Sequence, residues 1–140
     1  MKRKIVFFIM LSFALFSCAK KDVPTYIDGN YTATPSIKDN WGGSAKVEII
    51  VKDGKIVSCK FESYEKDGKL KDDDYGKENG EIKNIGTYKI AQNAMLEAAK
   101  YPDMLLQSQD IEELDALSGA TVSFNLFKDA VKQIMEKAKK

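Results

Sequence analysis

The 140-residue sequence contains no histidine. That excludes Ser-His-Asp and Cys-His catalytic machinery and His-containing zinc sites, and it removes the usual near-neutral acid/base. Cysteine is almost as scarce, with only Cys18 and Cys59, so no disulfide framework is available. Neither sign of charge dominates: 22 basic residues face 21 acidic ones, for a formal net charge of +1. There is accordingly no electrostatic case for nucleic acid as a partner. No G-x-G-x-x-G or G-x-x-x-x-G-K-(S/T) string occurs, which argues against a dinucleotide fold or a P-loop. No internal repeat and no second domain boundary appears.

What is present has the balance of a soluble globular protein, 44% apolar and 31% charged, at a length that suits one domain. The charge is unevenly placed. Lys2, Arg3 and Lys4 precede the apolar run Ile5 to Phe16, which is shorter than the roughly 20 residues needed to span a bilayer. A positive segment followed by such a run has the layout of a secretory signal. The run ends at Leu15-Phe16-Ser17-Cys18, which resembles a bacterial lipobox, although Phe16 is bulkier than the usual occupant. The expected organisation is a lipoprotein signal at residues 1–17, a lipidated tether at 18–27 and a folded domain at 28–140. Cys18 is then the lipidation site. Its palmitate-type acyl chains, at about 0.8 kcal/mol per buried CH₂, anchor the domain to a membrane of the bacterial envelope. The competing expectation is an ordinary cleaved signal with an incidental cysteine.

Asp28 to Thr34 reads as a turn entering a strand. Lys38 to Gly43 reads as a loop that carries Trp41, the single tryptophan, either covering a ring-shaped ligand or closing one end of the core. From Ser44 to Tyr64 the pattern is clearest. Val47, Ile49 and Val51 alternate with polar residues, Asp53-Gly54 supplies a type I′ turn, and Val57, Cys59 and Phe61 alternate again, which defines a β-hairpin with one buried face. Glu65 to Gly86 reads as a solvated loop. Its Asp72-Asp73-Asp74 triplet lacks the ligand spacing of an EF-hand, so no metal site is expected. Tyr88 to Tyr101 has helical spacing, with an alanine-rich side expected to lie against the sheet. Pro102 ends it, and Asp103 to Gln109 forms a shorter helix that buries Leu105 and Leu106. The fold class is α+β: an antiparallel sheet with a central hairpin, packed against C-terminal helices.

The last helix carries the most chemistry. Phe124, Phe127, Val131, Ile134 and Ala138 recur at steps of three and four, so a helix runs from Val122 to Lys139 with one apolar stripe. Asp115-Ala116-Leu117-Ser118-Gly119-Ala120-Thr121 leads directly into it. A helix start leaves N–H groups without partners and carries the positive end of the dipole, which suits a phosphate. Gly119 permits close approach, Ala120 keeps the surface small, and Thr121 places a hydroxyl at the entrance. The plainer alternative is a Ser118-Gly119 turn with Thr121 or Ser123 as an ordinary N-cap.

This string resembles the Asp-x-x-(Ser/Thr)-Gly-Ala-Thr flavinylation motif of the FMN-binding domain family, which includes a subunit of the sodium-pumping NADH:quinone reductase and surface lipoproteins of extracellular electron transfer. Residues 28–64 are similar to the family's opening, a D-G-x-Y strand followed by a hairpin with V-x-D-G-K-I. Residues 65–86 differ from the Glu-Thr-Pro-Gly loop of many members and look closer to a lipoprotein branch described as membrane immunogens.

The resemblance implies FMN as a covalent cofactor, esterified to Thr121 by a separate flavin transferase that uses FAD and Mg²⁺. It makes Ser118, Gly119 and Ala120 the close-approach loop and Asp115 part of what the transferase recognises. Trp41, Tyr64, Tyr75 and Tyr88 are candidates to contact the ring. No side chain is required as an acid or base, so the expectation is an electron carrier rather than a stand-alone enzyme, with donor and acceptor unspecified. The alternatives are a non-redox surface lipoprotein that keeps only the fold and binds a ligand or partner, and a detached relative of a respiratory-complex subunit.

Overall fold

The computed structural model describes residues 24–139; the leader and Cys18 lie outside the described residues. Strands β1 (Gly29–Ala33), β2 (Ser44–Lys52) and β3 (Lys55–Tyr64) form an antiparallel sheet in the order β1-β2-β3. The β2–β3 hairpin closes through Asp53 and Gly54, whose φ values of 53° and 75° suit the paired left-handed positions of a type I′ turn. Asp28 braces that turn, its carboxylate accepting from the N–H groups of Asp53 (2.9 Å) and Gly54 (2.8 Å).

Alternation buries Ala45, Val47, Ile49 and Val51 along β2, as the sequence requires. On β3 one position differs. Ile50 pairs with Ser58 and Val51 with Ile56, so Val57 faces no partner and forms a bulge. Val57 is therefore 52% exposed and Ile56 takes the core place expected for it. Beyond the bulge the alternation resumes, and Cys59 and Phe61 pack against the core. Burial and the Asp103 carboxylate push the Cys59 thiol up to about 12, so it behaves as a small apolar residue.

Three helices follow: α1 (Ile85–Ala98), α2 (Tyr101–Ser108) and α3 (Thr121–Ala138), with a 3-10 turn at Ile111–Glu113. Pro102 lies in the first turn of α2, where its missing N–H costs nothing. Gln109 ends α2 in the left-handed region, and its amide exchanges hydrogen bonds with the Ile56 backbone at 2.8 and 2.9 Å. The end of α2 is thereby stitched to the strand edge beside the bulge. All five stripe residues of α3 are buried, joined by Leu126, Ala130 and Met135. Each large one contributes about 1.5–3 kcal/mol of transfer free energy. Helix α3 lies across β1 and β2, and α2 lies on β3.

One boundary and one packing surface differ from expectation. Tyr26, assigned to the tether, is buried; its hydroxyl donates to Gln109 O (2.9 Å), and the neighbouring Ile27 N–H donates to Ala138 O (2.7 Å). The folded region thus starts before Asp28. Helix α1 does not lie on the sheet, and of its residues only Ala98 is buried. Ala91 and Ala94 line the groove described below, while Ala98 joins the core.

Candidate functional site

The loop before α3 is fixed from beneath. Tyr101 is fully buried, tilted against Phe124 (centroids 5.1 Å apart) and stacked on Phe127 (5.7 Å). Its hydroxyl donates to Ala120 O at 3.1 Å and accepts from Leu117 N–H at 3.0 Å, clamping both ends of the Leu117–Ala120 turn. Burial raises the Tyr101 pKa, so the hydroxyl stays a donor at physiological pH. Ala120 is buried rather than part of the presented surface, and its N–H closes the turn onto Leu117 O at 3.0 Å. A larger residue there would overpack the core; the close-approach surface belongs to Gly119 and the backbone. Replacing Tyr101 with phenylalanine keeps the ring contacts and leaves the part-buried Leu117 N–H without its partner, while Ala120 O keeps its bond from Phe124 N–H (2.9 Å). It is expected to lower stability by about 1–3 kcal/mol in urea unfolding.

Thr121 is the first residue of α3 and is exposed. The N-cap is Ala120, whose side chain has no capping function, so the helix opens with no side-chain cap hydrogen bond. The plainer sequence alternative, Thr121 or Ser123 as the cap, does not hold. The first turn of α3 thus has no side-chain partner for its N–H groups at the positive end of the dipole. Gly119, at φ 83°, takes a conformation that side chains avoid, and a Cβ there would stand 3.1 Å from Asn93 Nδ2.

Beside this helix start lies a groove of about 490 Å³, within the roughly 300–1,000 Å³ of small-molecule sites. Gly119 and Val122 line one end. Ile90, Ala91 and Ala94 of α1 form a wall, and Trp41 and Tyr75 line the groove with them. Trp41 is 69% exposed and Ile90 is 73% exposed, so Trp41 is a lip of the groove and not a plug of the core. Glycine at 76 permits the wall: a Cβ there would sit 2.8 Å from Ala91 Cβ.

The loop that carries Tyr75 is largely exposed, as the sequence expects, and it is also tied to α1. Gln92 Nε2 donates to Asp72 O (3.2 Å) and Tyr75 O (2.8 Å), and Tyr88 OH donates to Asp73 O (3.0 Å), folding it onto α1. Within the acidic triplet, Asp72 Oδ1 accepts from Asp74 N–H (2.9 Å) and Asp74 pairs with Lys77 (2.7 Å).

Asp39 organises the far wall. Its carboxylate is wholly buried, with Oδ1 accepting from the N–H groups of Trp41 (2.9 Å) and Gly43 (2.7 Å) and Oδ2 from Lys71 Nζ (2.7 Å). Burial alone would raise its pKa, but the Lys71 hydrogen bond, the two backbone N–H groups and the Lys71 charge hold it below the usual carboxylate range. Lys71 Nζ also lies 4.6 Å above the centre of the Tyr75 ring.

Of the expected site residues, the structure brings together Gly119, Trp41 and Tyr75 on the groove, with Thr121 immediately after Gly119. Ser118 and Asp115 are exposed on the approach to α3. Tyr64 and Tyr88 do not line the groove: Tyr64 OH donates to Glu62 (3.0 Å), and Tyr88 serves the 72–75 turn. Sequence reasoning missed Asp39, Lys71 and Tyr101. The only local signal was Tyr101 as an aromatic residue before a proline.

A concave surface with an apolar wall, an aromatic lip and an uncapped helix start fits a ligand that has a planar ring at one end and a phosphate at the other. These features define a cofactor-binding α+β domain. Residues 40–136 match the FMN-binding domain family, and the chain belongs to that family.

A similar curated protein is the 15 kDa lipoprotein of Treponema pallidum (strain Nichols). It is 29% identical over 136 residues, covering 96% of this chain and 89% of that protein. Among solved structures, a Clostridium perfringens protein superposes with a TM-score of 0.60 at 28% identity, over 81% of this chain and 88% of that one. A Clostridium thermocellum protein gives a TM-score of 0.47 at 25% identity, over 79% of this chain and 90% of that one.

Proposed function

We propose that this protein is a membrane-anchored flavoprotein that carries electrons through FMN joined to Thr121 by a phosphoester. One observation carries the reading: Thr121 is exposed as the first residue of an uncapped helix, two residues after the glycine that lines the groove. The N–H groups of the first α3 turn would hold the phosphate, and Trp41, Tyr75, Ile90 and Ala91 would hold the ring. Bound there, FMN supplies the redox chemistry, while the chain supplies position and electrostatics. In attachment, Thr121 Oγ1 forms the bond to phosphorus as the pyrophosphate bond of FAD breaks. AMP leaves and the hydroxyl proton passes to solvent. A flavin transferase performs the step, so this chain is its substrate.

Anchoring through Cys18 is supported by the lipobox-like Leu15-Phe16-Ser17-Cys18 and by the relative that is itself a lipoprotein. Residues 1–17 would be removed and acyl chains on Cys18 would hold the domain at an envelope membrane. A covalent flavin suits such a place, because a dissociated one would be lost from the cell. Expressed with a flavin transferase and then denatured, the protein is expected to gain the mass of FMN less one water and to stay yellow. Thr121→Ala is expected to show neither. A colourless wild-type protein at its unmodified mass would overturn the proposal.

A further inference from the structure

The Asp39–Lys71 pair is the most buried charged feature of the groove, and attachment at Thr121 makes no use of it. Taking two charges out of water is costly, and apolar replacements of such pairs are often neutral or stabilising. Backbone packing does not explain both partners: Asp39 Oδ1 already satisfies the Trp41 and Gly43 N–H groups, which an asparagine oxygen would also do. What the pair adds is an ammonium group held on the groove wall. Lys71 has three donors, of which Asp39 takes one, and its side chain is 10% exposed where it lines the cavity. The other groove lysines are weaker sources of field. Lys66 is exposed, and Lys77 is tied to Asp74 at 2.7 Å outside the pair.

We infer that Lys71 sets the reduction potential of FMN seated in this groove, with Asp39 as the positioning residue that holds the ammonium group and tempers its field. The inference rests on the reading that FMN occupies the groove beside α3. Electrons entering the groove add negative charge, and a cation in a poorly hydrated wall stabilises that charge more than it stabilises the oxidised state. Lys71 thereby makes the bound flavin easier to reduce. Asp39, 2.7 Å from the ammonium group, acts in the opposite sense.

The test uses the full chain flavinylated by a transferase, with the potential read spectroelectrochemically as an electrode delivers electrons through soluble mediators. Lys71→Met is expected to move the midpoint to more negative potential and Asp39→Asn to more positive potential. Lys71→Arg, which keeps the charge, is expected to stay near wild type. A groove merely loosened by substitution would not displace the two single variants in opposite directions. An unmoved Lys71→Met, or both variants moving the same way, would overturn the inference. Should Lys71→Met fail to fold, Asp39→Asn decides alone: a positive shift supports the role, and an unmoved or negative one removes it. Failure of the underlying reading shows earlier and separately, as wild-type protein whose mass carries no flavin, and the inference falls with it.

Discussion

Truncating Phe127 to alanine is expected to cost about 3–5 kcal/mol and to loosen the Leu117–Ala120 turn along with the core. Phe127 is fully buried at the junction of three elements, edge-on to Phe61 of β3 at 5.1 Å and stacked on Tyr101 of α2 at 5.7 Å. Truncation leaves a cavity under the Tyr101 ring, whose hydroxyl holds Leu117 and Ala120. The first measurement is urea unfolding, where the loss appears as a lower midpoint at unchanged slope. The second is amide exchange at Leu117, which is expected to speed up by more than that at β2. A loss below about 1 kcal/mol would mean that the junction collapses onto the gap, contrary to the close packing assigned to it.

Gly43→Ala is expected to cost about 3 kcal/mol and to disorganise the groove's far wall. A Cβ at this position would stand 2.4 Å from Asp39 Oδ2 and 2.6 Å from Tyr64 O. Neither atom is free to give way. The first belongs to a buried carboxylate held by three hydrogen bonds, and the second is strand backbone. The strain therefore falls on the Asp39–Lys71 pair, and the expected cost lies where overpacking and the breaking of buried ion pairs meet. Trp41, held through its N–H by the same carboxylate, is expected to change its fluorescence. Wild-type stability and an unchanged tryptophan spectrum would contradict the role given to Asp39.

Much of this molecule is legible in its sequence because the informative residues are local. The hairpin follows from alternation around Asp53-Gly54, and the last helix from the three-and-four spacing of Phe124 to Ala138. Thr121 falls at the helix start for the same reason. The bulge at Val57 is not legible: one unpaired residue reverses the face of Ile56 and Val57 while leaving the composition unchanged. The alanines of α1 promise close packing, but the sheet expected as their partner is not it: Ala91 meets Gly76 of the 72–76 loop, and Ala98 joins the core. That loop reads as solvated because its polar groups satisfy one another and the Gln92 side chain, a pairing that composition does not reveal. Asp39 and Lys71 stand far apart in the chain and meet only because β3 and the loop after it return to the Trp41 turn. Tyr101 counts as one more aromatic until the fold brings Leu117 and Ala120 to its hydroxyl.

One atom, the one that carries the cofactor, decides the chemistry proposed for this protein. Trypsin should release residues 101–128 as one peptide, holding Ser118, Thr121 and Ser123 between Lys100 and Lys128. Fragmentation of that peptide, from protein expressed with a flavin transferase, is predicted to place the mass of FMN less one water on Thr121. The peptide at its unmodified mass, or the flavin on Ser118 or Ser123, would contradict it.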